Sequence, residues 1–129
     1  FDLGAISGDN GGTLTHTASG TFFVKLRVTE DNHSPLGESL EVKLALTAPT
    51  GADVDAYVYL DPAADVSACG KAPFASAEVG GSGQNEQATF AWGDGLAGSN
   101  NDDDRTVVVQ IAHKAGACEA WTLTLQGNP

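Results

Sequence analysis

Residues 51–61, GADVDAYVYLD, hold three aspartates in one short alternating run, with Asp53 and Asp55 at its entrance and Asp61 at its exit. Carboxylates so placed can ligate a hard cation, act as paired acid and base, or carry solvated charge. The cation they suit is calcium, which takes six to eight oxygens and so draws carboxylates and carbonyls from several segments. Alternate residues of an extended chain point to one side, which lets Asp53 and Asp55 converge on one ion where they meet a loop. Asp61 lies roughly 26 Å further along such a chain and reads as a turn residue. The remaining ligands would come from two acidic clusters, Glu30 and Asp31 in TEDN, or Asp102, Asp103 and Asp104 in NNDDD. Neither has the D-x-D-x-D-G spacing of an EF-hand loop. The same carboxylates therefore also fit a second reading, as solvated charges that protect strand edges.

Catalysis finds less support. His16, His33 and His113 are scattered, and H-E-x-x-H, G-x-S-x-G and a Cys-His signature are all missing. Zinc would need His or Cys at fixed spacing. The 17 acidic residues can be paired for glycoside hydrolysis in too many ways to single out one pair. No enzymatic activity is expected. Tyr57 and Tyr59 offer binding instead: on the face that carries Asp55 they could form a flat amphipathic strip for a sugar ring or a peptide backbone. Packing beneath a loop is the equal alternative.

Charge narrows the partners. Six Lys and Arg against 17 Asp and Glu give a net charge of -11, which repels the phosphates of nucleic acid and anionic membrane surfaces. No apolar run approaches the ~18 residues that span a bilayer. No basic-then-apolar signal precedes Phe1, so the chain reads as a mature or trimmed piece. At 129 residues, one core and a single domain over residues 1–129 are expected. Two cysteines, Cys69 and Cys118, make a bridge possible, and closing that loop would stabilise by roughly 4 kcal/mol.

The elements that must position these groups alternate with a period of two. FFVKLRVTE puts Val24, Leu26 and Val28 on one face, and SLEVKLALT does the same with Leu40, Val42, Leu44 and Leu46. The opening stretch sets Val54, Ala56, Val58 and Leu60 against Asp55, Tyr57 and Tyr59. FASAEV is a short strand, and EQATFAW carries Ala88, Phe90 and Trp92 on one side. RTVVVQIAH and EAWTLTLQG read as the last pair, joined by KAGAC as a hairpin, with Val107, Val109 and Ile111 facing the same core as Trp121, Leu123 and Leu125. FDLGAISG and GGTLTHTASG suit short edge strands. With no helical spacing over ten or more residues, the chain is expected to be all-β, an antiparallel β-sandwich or jelly roll of about seven to nine strands.

LGAISG, SGTFFVKLRVTED, LEVKLALTAPTGADVDAYVYLD and the closing WTLTLQGN, taken in order, resemble the bacterial pre-peptidase C-terminal domain family over nearly the whole chain. The sharpest element is DVDAYVYLD, which looks like the family's D-x-D-hydrophobic-Tyr-hydrophobic strand. One departure is SGTFF, where family members often carry an aspartate followed by an aromatic. The resemblance implies a secreted, extracellular accessory module without catalysis. Such modules assist export or attach a parent enzyme domain to a polymer, either collagen-like protein or polysaccharide, in some cases with calcium. In an exported domain a Cys69–Cys118 disulfide is the expected outcome. A competing reading is a self-assembling subunit of a filament or surface layer, in which an N-terminal strand completes a neighbour's sheet.

Overall fold

The structure, a computed structural model, describes residues 1–31, 39–62, 72–93 and 103–129. Among them the chain forms nine strands and no helix: β1 (Asp2–Ser7), β2 (Gly12–Ser19), β3 (Phe22–Thr29), β4 (Leu40–Thr47), β5 (Ala52–Leu60), β6 (Ala75–Ala77), β7 (Glu86–Trp92), β8 (Arg105–Gly116) and β9 (Ala120–Gly127). They make a five-stranded sheet in the order β1-β3-β8-β5-β6 and a four-stranded sheet in the order β2-β9-β4-β7. All pairs are antiparallel except β1, which runs parallel to β3. The expected all-β sandwich is the architecture found.

Period-two alternation explains how the layers close. Val24, Leu26 and Val28 of β3 and Val107, Val109 and Ile111 of β8 turn inward from one sheet, and Leu40 to Leu46 of β4 and Trp121 to Leu125 of β9 meet them from the other. Burying such rows from two sheets about 10 Å apart fills the space between them with apolar side chains among the described residues. Trp121 is part of this core, whereas Trp92 packs against it half-buried, its ring stacked on Phe90. Among the described residues, binding is therefore confined to rims, edges and outer faces.

One expectation fails. β8 and β9 do not pair as a hairpin: β8 lies between β3 and β5, and β9 lies between β2 and β4 in the other sheet. The three residues between them, 117–119, can span about 10 Å, which equals the spacing of stacked sheets. A connection of that length serves as a corner as readily as a hairpin, so length alone could not choose. The same switch of sheet occurs at every connection except that between β5 and β6. This is the winding of a jelly roll, and nearly every strand meets partners distant in sequence.

Candidate functional site

β5 sits second from the edge of its sheet, and its odd-numbered residues, Asp53, Asp55, Tyr57 and Tyr59, point away from the core. They are not a bare strip. A bulge in β8 opposite Asp53 and Val54 leaves Lys114 without a register partner, since Asp53 aligns with Ala115 and Val54 with His113. The Lys114 ammonium lies 3.6 Å from Asp55 Oδ2 and donates to the Tyr57 hydroxyl at 3.5 Å. It also stands 5.9 Å from the centre of the Tyr57 ring. The Tyr57 hydroxyl in turn donates to Asp55 Oδ2 at 3.2 Å, and Asp55 is only 7% exposed.

Burial pushes the Tyr57 hydroxyl above its ordinary range, against the pull of Lys114, while Lys114 is itself raised, first by its contact with Tyr57 and then by Asp55. At neutral pH the tyrosine is thus neutral and the lysine charged, so neither serves as a base or nucleophile. Tyr59 is buried, its hydroxyl donating to Gln110 Oε1 at 3.2 Å. Asp53 is half-buried, and its Oδ1 has no hydrogen-bond partner.

The acidic residues considered as further ligands gather elsewhere. The register pairs Val28 with Arg105 and Leu60 with Val107, which puts the end of β3 and the start of β8 beside the exit of β5. Glu30, Asp31, Asp103 and Asp104 lie there, about 23 Å along the strand from Asp53; Asp102 falls outside the described residues.

Asp104 accepts from the Glu30 N–H at 2.7 Å and pairs with Arg27, and Glu30 accepts from the Asp103 N–H at 3.3 Å. Asp103 lies 3.7 Å from Arg105, which also pairs with Asp61 at 3.1 Å. The Asp31 N–H donates to Asp9. Asp61, with φ of 39°, takes the turn role expected of it and accepts from the Thr106 N–H. Arginines and backbone N–H groups are, among the described residues, partners of these carboxylates. Among the described residues no three His, Cys, Asp or Glu side chains are grouped as a metal centre would need.

The expected disulfide is not seen. Cys118 carries an exposed free thiol, and Cys69 lies outside the described residues.

Two features lie outside the apolar alternation. One is Glu86, which shares the inward face of Ala88 and Phe90 and is buried at the start of β7 with its Oε1 unpartnered. The other is the outer face of the four-stranded sheet. Register aligns Thr13, Gln126, Lys43 and Thr89 in one row across the strands, Thr15, Thr124, Ala45 and Gln87 in the next, and Thr17, Thr122 and Thr47 in a third. The Thr17 and Thr122 hydroxyls are 3.0 Å apart. Lys43 is the one charge in these rows, on a chain of net charge -11. The signal was present in TLTHT and TLTLQ, but it becomes a surface only once β2 and β9 lie side by side.

No protein-family model matches the sequence, and no curated protein is detectably similar to it. Among solved structures, the fold is similar to the pre-peptidase C-terminal domain of a collagenase from Bacillus anthracis, with a TM-score of 0.53 over 94% of this chain and 91% of that one. At 9% identity the likeness is one of fold alone.

Proposed function

We propose that the chain is a non-catalytic accessory module of an exported protein, and that it holds an uncharged, insoluble polysaccharide against the outer face of its four-stranded sheet. The observation that carries this reading is the set of three cross-strand rows of threonine and glutamine on an otherwise acidic molecule. Each hydroxyl both donates and accepts, as sugar hydroxyls do, and each threonine adds a methyl for contact. Rows repeat about 6.8 Å along the strands and about 4.8 Å across them, a flat grid suited to an extended polymer. The fold likeness to a domain of a collagenase supports an accessory role in a secreted enzyme.

The Tyr57 side of the domain is less open to a sugar ring, because Lys114 stands against that ring and Tyr59 is buried.

The test is co-sedimentation with cellulose, chitin and insoluble collagen, in calcium and in chelator, so that any cation held by Asp53 and Asp55 is read separately. The wild-type domain is expected to be retained on a polysaccharide. The double variant Thr15→Glu/Thr124→Glu, which sets two charges in the middle row, is expected to lose at least tenfold in retention, since a charge pressed against a neutral surface loses its hydration. Tyr57→Ala should bind as the wild type does. Retention on collagen alone, loss on Tyr57→Ala alone, or no retention at all would each overturn the assignment.

A further inference from the structure

Glu86 opens β7 with its side chain turned into the sandwich beside Leu46, and it is 0% exposed. Oε2 accepts from the Val79 backbone N–H at 2.5 Å, and Oε1 is buried without a partner. Val79 lies just beyond β6, the edge strand of one sheet, and β7 is the edge strand of the other. This contact therefore ties the two sheets together at their open side. The other contacts of this segment are few: Ala75, Ser76 and Ala77 pair with Val58, Tyr57 and Ala56, Ala77 reaches the core, the Phe74 N–H donates to the Val58 carbonyl while its ring meets Phe90 of β7 edge-on, and the Gly83 N–H donates to the Ala52 carbonyl.

A carboxylate buried with a bare oxygen needs a proton or a cation beside it. The charged groups that act on Glu86 most are Asp55 and Asp53 from β5 and Glu78 beside β6, all of them acidic, and β4 and β9 turn only apolar side chains inward. Burial, followed by those like charges, outweighs the Val79 donor and raises the Glu86 carboxyl above its ordinary range. An ionised Glu86 would gain by moving to water, away from Asp53 and Asp55.

We propose that Glu86 is a proton-operated latch: protonated, it clasps β6 and residues 78–85 onto β7, and losing the proton releases them and uncovers the facing edges of β5 and β7. The proposal is independent of the polysaccharide reading. Its sign follows from linkage. A carboxyl raised above its unfolded value near 4.5 contributes stability that is complete below that value and is lost as pH rises through the folded one.

The test compares the whole domain with Glu86→Gln, an isostere of the protonated acid, by thermal melting and amide exchange between pH 4 and pH 8.5. The two proteins are expected to melt together near pH 4, with the variant several degrees higher at pH 8. At pH 8 the wild-type amides of residues 75–77 and 79 should exchange at least tenfold faster than the variant's. A pH-independent gap, or equal protection of those amides, would overturn the latch. Glu78→Gln, at an exposed position that does not threaten folding, removes one like charge and should move the wild-type transition to lower pH. An unmoved or upward-moved transition would count against the proposal even if the Glu86 variant failed to fold.

Discussion

Replacing Trp121 with alanine is expected to cost about 3–5 kcal/mol, the range for truncating a fully buried large aromatic. Trp121 is 1% exposed and stands where the two sheets meet near the β2–β3 turn. Its ring lies edge-on to Phe22 at 6.1 Å and tilted to His16 at 6.2 Å, while Phe1 stacks on the far side of His16. Its indole N–H donates to the Gly20 carbonyl at 2.9 Å, in the turn that carries the chain from one sheet to the other. Alanine would open a cavity beneath that cluster and orphan the carbonyl at once. In a domain of this size the melting temperature should fall by about 10–20 °C. Trp121→Phe keeps most of the volume and loses the donor with part of the ring, so about 1–2 kcal/mol is expected. Chemical denaturation of both variants checks the pair, and equal losses would show that the hydrogen bond rather than the packing dominates.

Gly127→Ala is the second large effect. Gly127 ends β9, aligned with Gly12 of β2 on one side and Val42 of β4 on the other. A Cβ there would run into the Ser7 carbonyl, where β1 leaves its sheet. The obstacle is backbone, held by the Ser7–Gly11 bridge, by the Asn10 N–H donating to Ser7 Oγ, and by the Gly8 N–H donating to the Thr29 carbonyl. It cannot turn aside as a side chain would. A loss of about 3 kcal/mol is expected, at the upper end for overpacking. Amide exchange should quicken first in β1 and the β1–β2 turn. Wild-type stability in this variant would mean that the crossing of β1 over β9 is looser than the structure shows.

These effects come from crossings between strands far apart in sequence, as does the latch. Val79 and Glu86 are near neighbours in the chain, yet Glu86 is buried only because β7 joins β4 and faces β5. The carboxylates Asp55, Asp53 and Glu78 then act on it as like charges. By contrast, Asp103 and Asp104 meet cations, Arg105 and Arg27, which offset the cost of burying Asp103.

What the sequence settled by itself was which side of each strand faces inward, and with it the all-β class and the membership of the core. Val24, Leu26, Leu44, Val109 and Leu123 lie where their alternation puts them, because side-chain direction in a strand depends only on position along that strand. Asp61 as a turn residue and Asp53 with Asp55 on the outer side were legible for the same local reason.

Which strands are neighbours was decided only by the tertiary structure. The hairpin expected between β8 and β9 became a corner, and Glu30, Asp31, Asp103 and Asp104 lie at the far end of β5 from Asp53. Lys114 came to rest against Tyr57 through a bulge, and two separate threonine runs became one face. Strand pairing and register minimise the free energy of the whole sandwich at once, so alternation within one segment carries no record of its partner.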